Sequence, residues 1–241
     1  MTGAAQGIGL ALARGLGGAG AELLLNDLDA EKLGKAAADL RKDGIRAVTS
    51  AFNVTRENEI EQGLADFSTK SGAPDILVNN AGIHRRGALL SMPLEDWRAV
   101  LDVNLTSAFL VSRAVAKSMV ARGSGKILNI CSLNSELARP GIGNYAAAKG
   151  GLKMLTRAMA VEWGPNNIQV NGIGPGYIST EMTKALMDDP VFNRMITSRT
   201  PAGRWGTTDD LIGAAIFFCS SASDYVSGQV LYVDGGFMAS L

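Results

Sequence analysis

The chain has 241 residues, 46% of them hydrophobic, and its 23 basic residues are balanced by 23 acidic ones. That length suits one domain with a substantial core, and zero net charge leaves no field to draw in nucleic acid or an anionic membrane. No uninterrupted apolar run approaches the roughly 18 residues of a membrane span, no signal peptide opens the chain, and Cys131 and Cys219 lie far apart in apolar contexts that suit a reducing, cytoplasmic setting.

Thr2-Gly3-Ala4-Ala5-Gln6-Gly7-Ile8-Gly9 comes first and runs into a helical pattern ending near Gly17. Gly3, Gly7 and Gly9 allow a sharp turn and a close approach of main chain to a pyrophosphate, whose charge would sit at the helix N-terminus. A literal G-x-G-x-x-G at Gly15, Gly17 and Gly20 falls after the helix and before a strand, so it reads as the turn closing that helix. A phosphate loop should follow a strand, yet only Met1 and Thr2 precede this one. The first, normally central strand is therefore expected to be absent or nearly so, with Met1 marking a misplaced start at a valine codon.

Residues 22–27, E-L-L-L-N-D, read as a strand ending in Asp27, 18 residues past Gly9. A carboxylate there accepts from an adenine ribose 2′-hydroxyl and repels a 2′-phosphate. The next residue is Leu28, and Asp29 can serve as the helix cap. NAD is expected over NADP, which stays open as the alternative.

Helices then follow at 29–43, 56–70, 94–122, 144–163 and 208–220, and strands at 45–52, 75–79, 125–131, 168–173 and 229–233. This alternation predicts a single-domain, Rossmann-like, doubly wound parallel sheet with helices on both faces, its first strand truncated. One irregular connection, 174–207, is long enough to be a lid or binding loop, with helix near 181–198. Asn104 lies mid-helix, where it marks either a local kink or a polar link to the active site.

Tyr145 and Lys149 stand four apart in an alanine-rich helical stretch, so phenol and ammonium share one face. A cation beside a tyrosine should stabilise its phenolate and bring its pKa towards the working range of an acid–base catalyst. Ser132 closes the apolar run K-I-L-N-I-C, at the strand end where open α/β sheets bind ligands. The other tyrosines carry Glu181, Gln229 and Gly236 at the same spacing.

Taken in order, T-G-A-A-Q-G-I-G (2–9), N-N-A-G (79–82), Asn104, Ser132, Y-A-A-A-K (145–149) and P-G (175–176) resemble the short-chain dehydrogenase/reductase family over nearly the whole chain. Ser132 precedes Tyr145 by the 13 residues usual there. The resemblance implies an NAD(P)-dependent oxidoreductase acting on CH–OH groups, with no metal. Tyr145 would move the alcohol proton, Lys149 would stabilise the phenolate and bind the nicotinamide ribose, and Ser132 would steady the substrate oxygen. Asn104 would hold a water joining Lys149 to solvent. The cofactor would lie on Gly3, Gln6, Gly7, Ile8, Gly9, Asp27, Asn53, Val54, Asn80, Ala81 and Gly82, with Tyr145 and Lys149. Beyond β-strand 168–173 it would meet Pro175, Gly176, Ile178 and Thr180. Asn53 stands where most members carry aspartate.

A narrower resemblance, to the gluconate 5-dehydrogenase group, rests on I-H-R-R-G (83–87), 130–140, 150–157, N-G-I-G-P-G-Y (171–177) and T-P-A-G-R-W-G (200–206). It implies a sugar acid, D-gluconate or 5-keto-D-gluconate, as substrate. Candidate substrate residues are His84, Arg85, Ser132, Glu136, Arg139 and Tyr145, with Arg86 and Arg204 as further cations. The family implies a homotetramer, with Trp97 and Trp163 as interface anchors. The alternatives are a reductase of another ketone (a 3-oxoacyl thioester or a polyol), a non-catalytic cofactor sensor, or a structural subunit.

Overall fold

A computed structural model describes residues 1–240, with the Lys70 side chain left aside. In chain order the elements are α1 (Gly7–Gly18), β1 (Leu23–Asp27), α2 (Ala30–Lys42), β2 (Ala47–Ala51), α3 (Glu57–Ser71) and β3 (Ile76–Asn79). Next come α4 (Leu94–Leu101), a π-helical turn (Asp102–Thr106), α5 (Ser107–Arg122), β4 (Gly125–Ile130), α6 (Gly143–Trp163) and β5 (Ile168–Pro175). The chain closes with α7 (Lys184–Met187), α8 (Pro190–Arg199), α9 (Ile212–Cys219) and β6 (Val230–Val233). All strand pairs are parallel, in the orders β1-β2 and β3-β4-β5-β6.

Both faces of this sheet are covered, which explains why its strands are apolar runs rather than alternations. Neighbouring residues point opposite ways: Leu77 and Ile127 join one core cluster, and Val78 and Leu128 the other. The first cluster packs Ile60, Phe67, Val115 and Met119 from α3 and α5; the second packs Leu12, Leu16, Leu40 and Phe218 from α1, α2 and α9. Asp29 caps α2, accepting from the Lys32 N–H at 3.0 Å. The run Leu94–Arg122 is long and apolar enough to cross a membrane by length and composition, but it packs as a core helix against the sheet, α3 and α6.

Met1 and Thr2 join the two sheets, pairing with both β1 and β3. The Met1 ammonium donates to Leu24 O at 2.7 Å, Asn26 N–H donates to Met1 O at 2.9 Å, and Thr2 N–H donates to Val78 O at 3.0 Å. Below this bridge a groove of about 370 Å³ runs between β1 and β3, floored by Phe67, Leu77, Val111 and Val115. Burial holds the Met1 ammonium down at a pKa of about 5.

Candidate active site

A pocket of about 410 Å³ opens at the carboxyl ends of β1, β3, β4 and β5. Its first wall is the glycine loop. Gly3 holds φ +62°, and a Cβ there would stand 2.9 Å from Ala81 Cα. A Cβ on Gly9 would stand 2.1 Å from Gly3 O, so Gly9 packs behind the loop and does not line the pocket. Gln6, Gly7 and Ile8 do line it. Gln6 gives α1 no side-chain cap and the first turn has no acidic residue, so the helix presents its N–H groups uncapped. An open helix end, a loop only glycine can form and a long cleft fit the pyrophosphate of a dinucleotide cofactor.

Asp27 ends β1 as expected, but its carboxylate also braces the loop. It accepts from Ala5 N–H at 3.0 Å through Oδ2 and from Leu28 N–H at 2.8 Å through Oδ1. Asn53 and Val54 reach the pocket, and Asn53 Oδ1 accepts from the Thr55 N–H and hydroxyl at 3.0 and 2.8 Å. Asn80, Ala81 and Gly82 form the floor, tied to the loop by Asn80 Nδ2, which donates to Gly3 O at 2.8 Å. Pro175, Gly176, Ile178 and Thr180 form the opposite wall. The Thr180 and Thr183 hydroxyls meet at 3.2 Å in a capping box.

Ser132, Tyr145 and Lys149 converge in this pocket. Lys149 is buried and donates to Ile130 O at 2.6 Å, with its Nζ 5.7 Å from the Tyr145 ring centre. Burial lowers the Lys149 pKa to about 8. The Tyr145 phenol departs from expectation: burial raises it to about 12, and the adjacent Ser132 hydroxyl pulls the other way without overcoming that effect. In the chain alone desolvation outweighs the ammonium, whose bond is directed to the Ile130 carbonyl.

Beneath these groups a chain of buried amides and hydroxyls fixes the elements. Asn79 Nδ2 donates to Ser112 Oγ and Asn129 Oδ1, both at 2.8 Å, and Asn129 Nδ2 donates to Thr156 Oγ1 at 2.9 Å. Asn104 occupies the π-turn and does not line the pocket. Its Oδ1 accepts from Ile83 N–H and its Nδ2 donates to Ile83 O, each at 2.8 Å. Both readings of Asn104 therefore meet in one device: the helix is distorted, and the amide clamps the loop that carries His84.

The candidate substrate groups sort sharply. Arg85 turns out to pair with Asp96 at 2.8 Å, and Arg204 pairs with Asp210. Glu136 is held by Lys153 and by the Tyr232 hydroxyl, which donates to it at 2.9 Å. None of these three lines the pocket, which corrects the expectation for Arg85 and Glu136. Arg86 takes the place of Arg85, and with Arg139 and His84 it faces the pocket. Arg139 lies over the Phe192 ring at 5.5 Å, and burial followed by the nearby Arg139 charge lowers the Arg86 pKa. Neither guanidinium forms an ion pair among the described residues. Leu28, Asn134, Tyr177 and Leu186 also line the pocket and were not among the expected site residues; Asn134 and Tyr177 lie within the runs 130–140 and 171–177, whereas Leu186 lies in none.

The family model described as enoyl-(acyl carrier protein) reductase matches residues 3–238. The chain is 51% identical to the 5-keto-D-gluconate 5-reductase of Escherichia coli (strain K12), over all of this chain and 95% of that relative. It is 50% identical to the 2-dehydro-3-deoxy-D-gluconate 5-dehydrogenase of Formosa agariphila, over all of this chain and 92% of that one. Its fold superposes, with TM-score 0.97 and 50% identity, on a crystal structure of a gluconate 5-dehydrogenase from Burkholderia cenocepacia J2315 in complex with NADP and tartrate, covering all of this chain and 94% of that one. The expected preference for NAD finds no support in that neighbour.

Proposed function

The chain belongs to the short-chain dehydrogenase/reductase family, and we propose that it interconverts D-gluconate and 5-keto-D-gluconate. When bound, the nicotinamide cofactor supplies or accepts the hydride at the carbinol carbon. Tyr145 Oη gives its proton to the ketone oxygen on reduction and takes it back on oxidation. The Ser132 hydroxyl donates to that oxygen as charge gathers on it. Lys149 keeps a buried cation beside the phenol, and Asn104 holds the Ile83–His84 loop in place.

The observation that carries the sugar-acid reading is the pair Arg86 and Arg139. Two guanidiniums without ion-pair partners among the described residues face one pocket that holds Ser132 and Tyr145, and burial and the neighbouring charge lower the pKa of Arg86. An anionic substrate relieves that repulsion, and a planar carboxylate fits a guanidinium fork. A fatty acyl thioester would gain nothing from it. The cofactor reading moves to NADP on the strength of the Burkholderia neighbour. Asp27 keeps its charge while accepting the Ala5 and Leu28 N–H groups, so an NADP 2′-phosphate would have to seat away from that carboxylate.

Exposed Phe109 and Val120 on α5, with Met154 and Val161 on α6, support assembly of copies through these helices, as a tetramer. The free thiols, with Cys131 pushed up to about 11 by burial, support a reducing cytoplasmic home. A panel of sugar acids with NADP tests the substrate. Turnover of D-gluconate above 2-dehydro-3-deoxy-D-gluconate and above a 3-hydroxyacyl thioester, the alcohol form of the acyl competitor, is expected, and a clear preference for either competitor would displace the proposal.

A further inference from the structure

His84, the chain's one histidine, faces the pocket without a role in the steps above. Its ring stacks on Tyr145, with centroids 3.7 Å apart and planes 25° apart. The Asn104 clamp on Ile83 fixes the main chain immediately before it. Its Nδ1 is buried with no hydrogen-bond partner among the described residues, whereas Nε2 is not among the buried unpartnered atoms, and the side chain lines the pocket.

A neutral imidazole carries one N–H. A proton on Nδ1 would bury a donor with nothing to receive it, and orphaned buried N–H groups are rarer and costlier than under-used acceptors. The proton therefore belongs on Nε2. The charged form is disfavoured as well. Burial, then Arg86 on the same loop, Lys149 on α6 and Arg139 on the loop after β4 hold the pKa at about 4. The remaining titratable neighbour is Tyr145, neutral in the chain alone.

We propose that His84 is a specificity-determining residue, a fixed neutral donor whose Nε2–H binds the substrate oxygen on the carbon next to the one that reacts. Stacked one ring-width from Tyr145, it reads a hydroxyl vicinal to the oxygen that the phenol protonates. The site would thereby select polyhydroxylated acids over plain keto acids. This rests on the sugar-acid reading and adds to it the subsite for the neighbouring hydroxyl.

The test compares 5-keto-D-gluconate with 5-oxohexanoate, which keeps the carboxylate and the ketone at the same spacing but has no hydroxyls. His84→Phe preserves an aromatic stack and deletes the donor. The ratio of kcat/KM for the two substrates is expected to fall at least tenfold from wild type to His84→Phe, mainly through KM for the hydroxylated one. An unchanged ratio would overturn the proposal. Imidazole ¹⁵N spectra of the wild-type protein give an independent reading, unambiguous with one histidine. A neutral Nε2–H tautomer between pH 5.5 and 8 is expected, and an imidazolium or an Nδ1–H tautomer at pH 7 would refute it. Failure of wild type on both keto acids would end the sugar-acid reading, and with it the subsite, whereas turnover with an unchanged ratio removes the subsite alone.

Discussion

Replacing Asn104 by alanine tests the link between fold and site. The side chain makes two hydrogen bonds to one residue, accepting from Ile83 N–H and donating to Ile83 O, both at 2.8 Å. Alanine leaves both main-chain groups unpaired, and each unsatisfied buried group costs about 1–3 kcal/mol. Ile83 is only half-buried and water can reach part of the loop, so the low end of the summed range applies, about 2–3 kcal/mol. In a domain of this size that lowers Tm by about 4–12 °C. Asn104→Asp should retain the bond from Ile83 N–H but set a carboxylate oxygen against Ile83 O, so it should fall at least as far as alanine. Thermal unfolding by circular dichroism measures stability, and kcat in the folded protein measures the site. The clamp also holds His84 against Tyr145, so kcat should fall as well. An alanine variant within 0.5 kcal/mol of wild type by the same criterion, with unchanged kcat, would refute this account of Asn104.

Stability should depend on pH through His84. Its folded pKa, about 4, lies below the ordinary value of 6.5, so between these values the unfolded chain binds the extra proton. Stability is full above pH 6.5 and declines towards pH 4, by at most about 3 kcal/mol before solvent screening at the pocket mouth is allowed for. Urea titrations of wild type and His84→Phe should differ in slope across that window, and identical slopes would count against the neutral buried imidazole. Arg86→Met and Arg139→Met should each raise KM for 5-keto-D-gluconate by about tenfold or more, the loss of a charge-assisted bond, with a smaller effect on kcat. An unchanged KM in both would move the carboxylate elsewhere. Extending the chain by five alternating Val and Ile residues ahead of Met1 should fill the groove between β1 and β3. The residue before Met1 would meet Ile76 O and Val78 N–H, the next one Leu24 N–H, and the buried ammonium would become an amide. After the ordering entropy, a net gain of about 2–4 kcal/mol should raise Tm by about 4–16 °C, whereas a proline-interrupted extension should not.

The layout of strands and helices was legible because both periods are strong: the covered strands read as apolar runs, and Asp29 marks a helix start. Ser132, Tyr145 and Lys149 were legible for a local reason, since strand end and helix pitch bring them to one place. What escaped depends on contacts between distant residues. Arg85 and Arg86 are adjacent in an irregular loop, and only Asp96 decides which of them turns outward. Glu136 was drawn from the pocket by Lys153 and by Tyr232, 17 and 96 positions away. The π-turn at Asn104 answers the unpaired main chain of Ile83, a need invisible at the helix itself. The phenol of Tyr145 was expected low and lies high, because spacing shows the nearby charge but not the burial that opposes it.

The most direct test of the central claim is reduced-nicotinamide absorbance with D-gluconate, taken with NADP and with NAD, for wild type and for Tyr145→Phe. Turnover by wild type, favouring NADP, is expected, with a loss of about 10²-fold or more in a Tyr145→Phe protein that stays folded. Gluconate turnover that survives in Tyr145→Phe would contradict the assignment of the proton to that phenol.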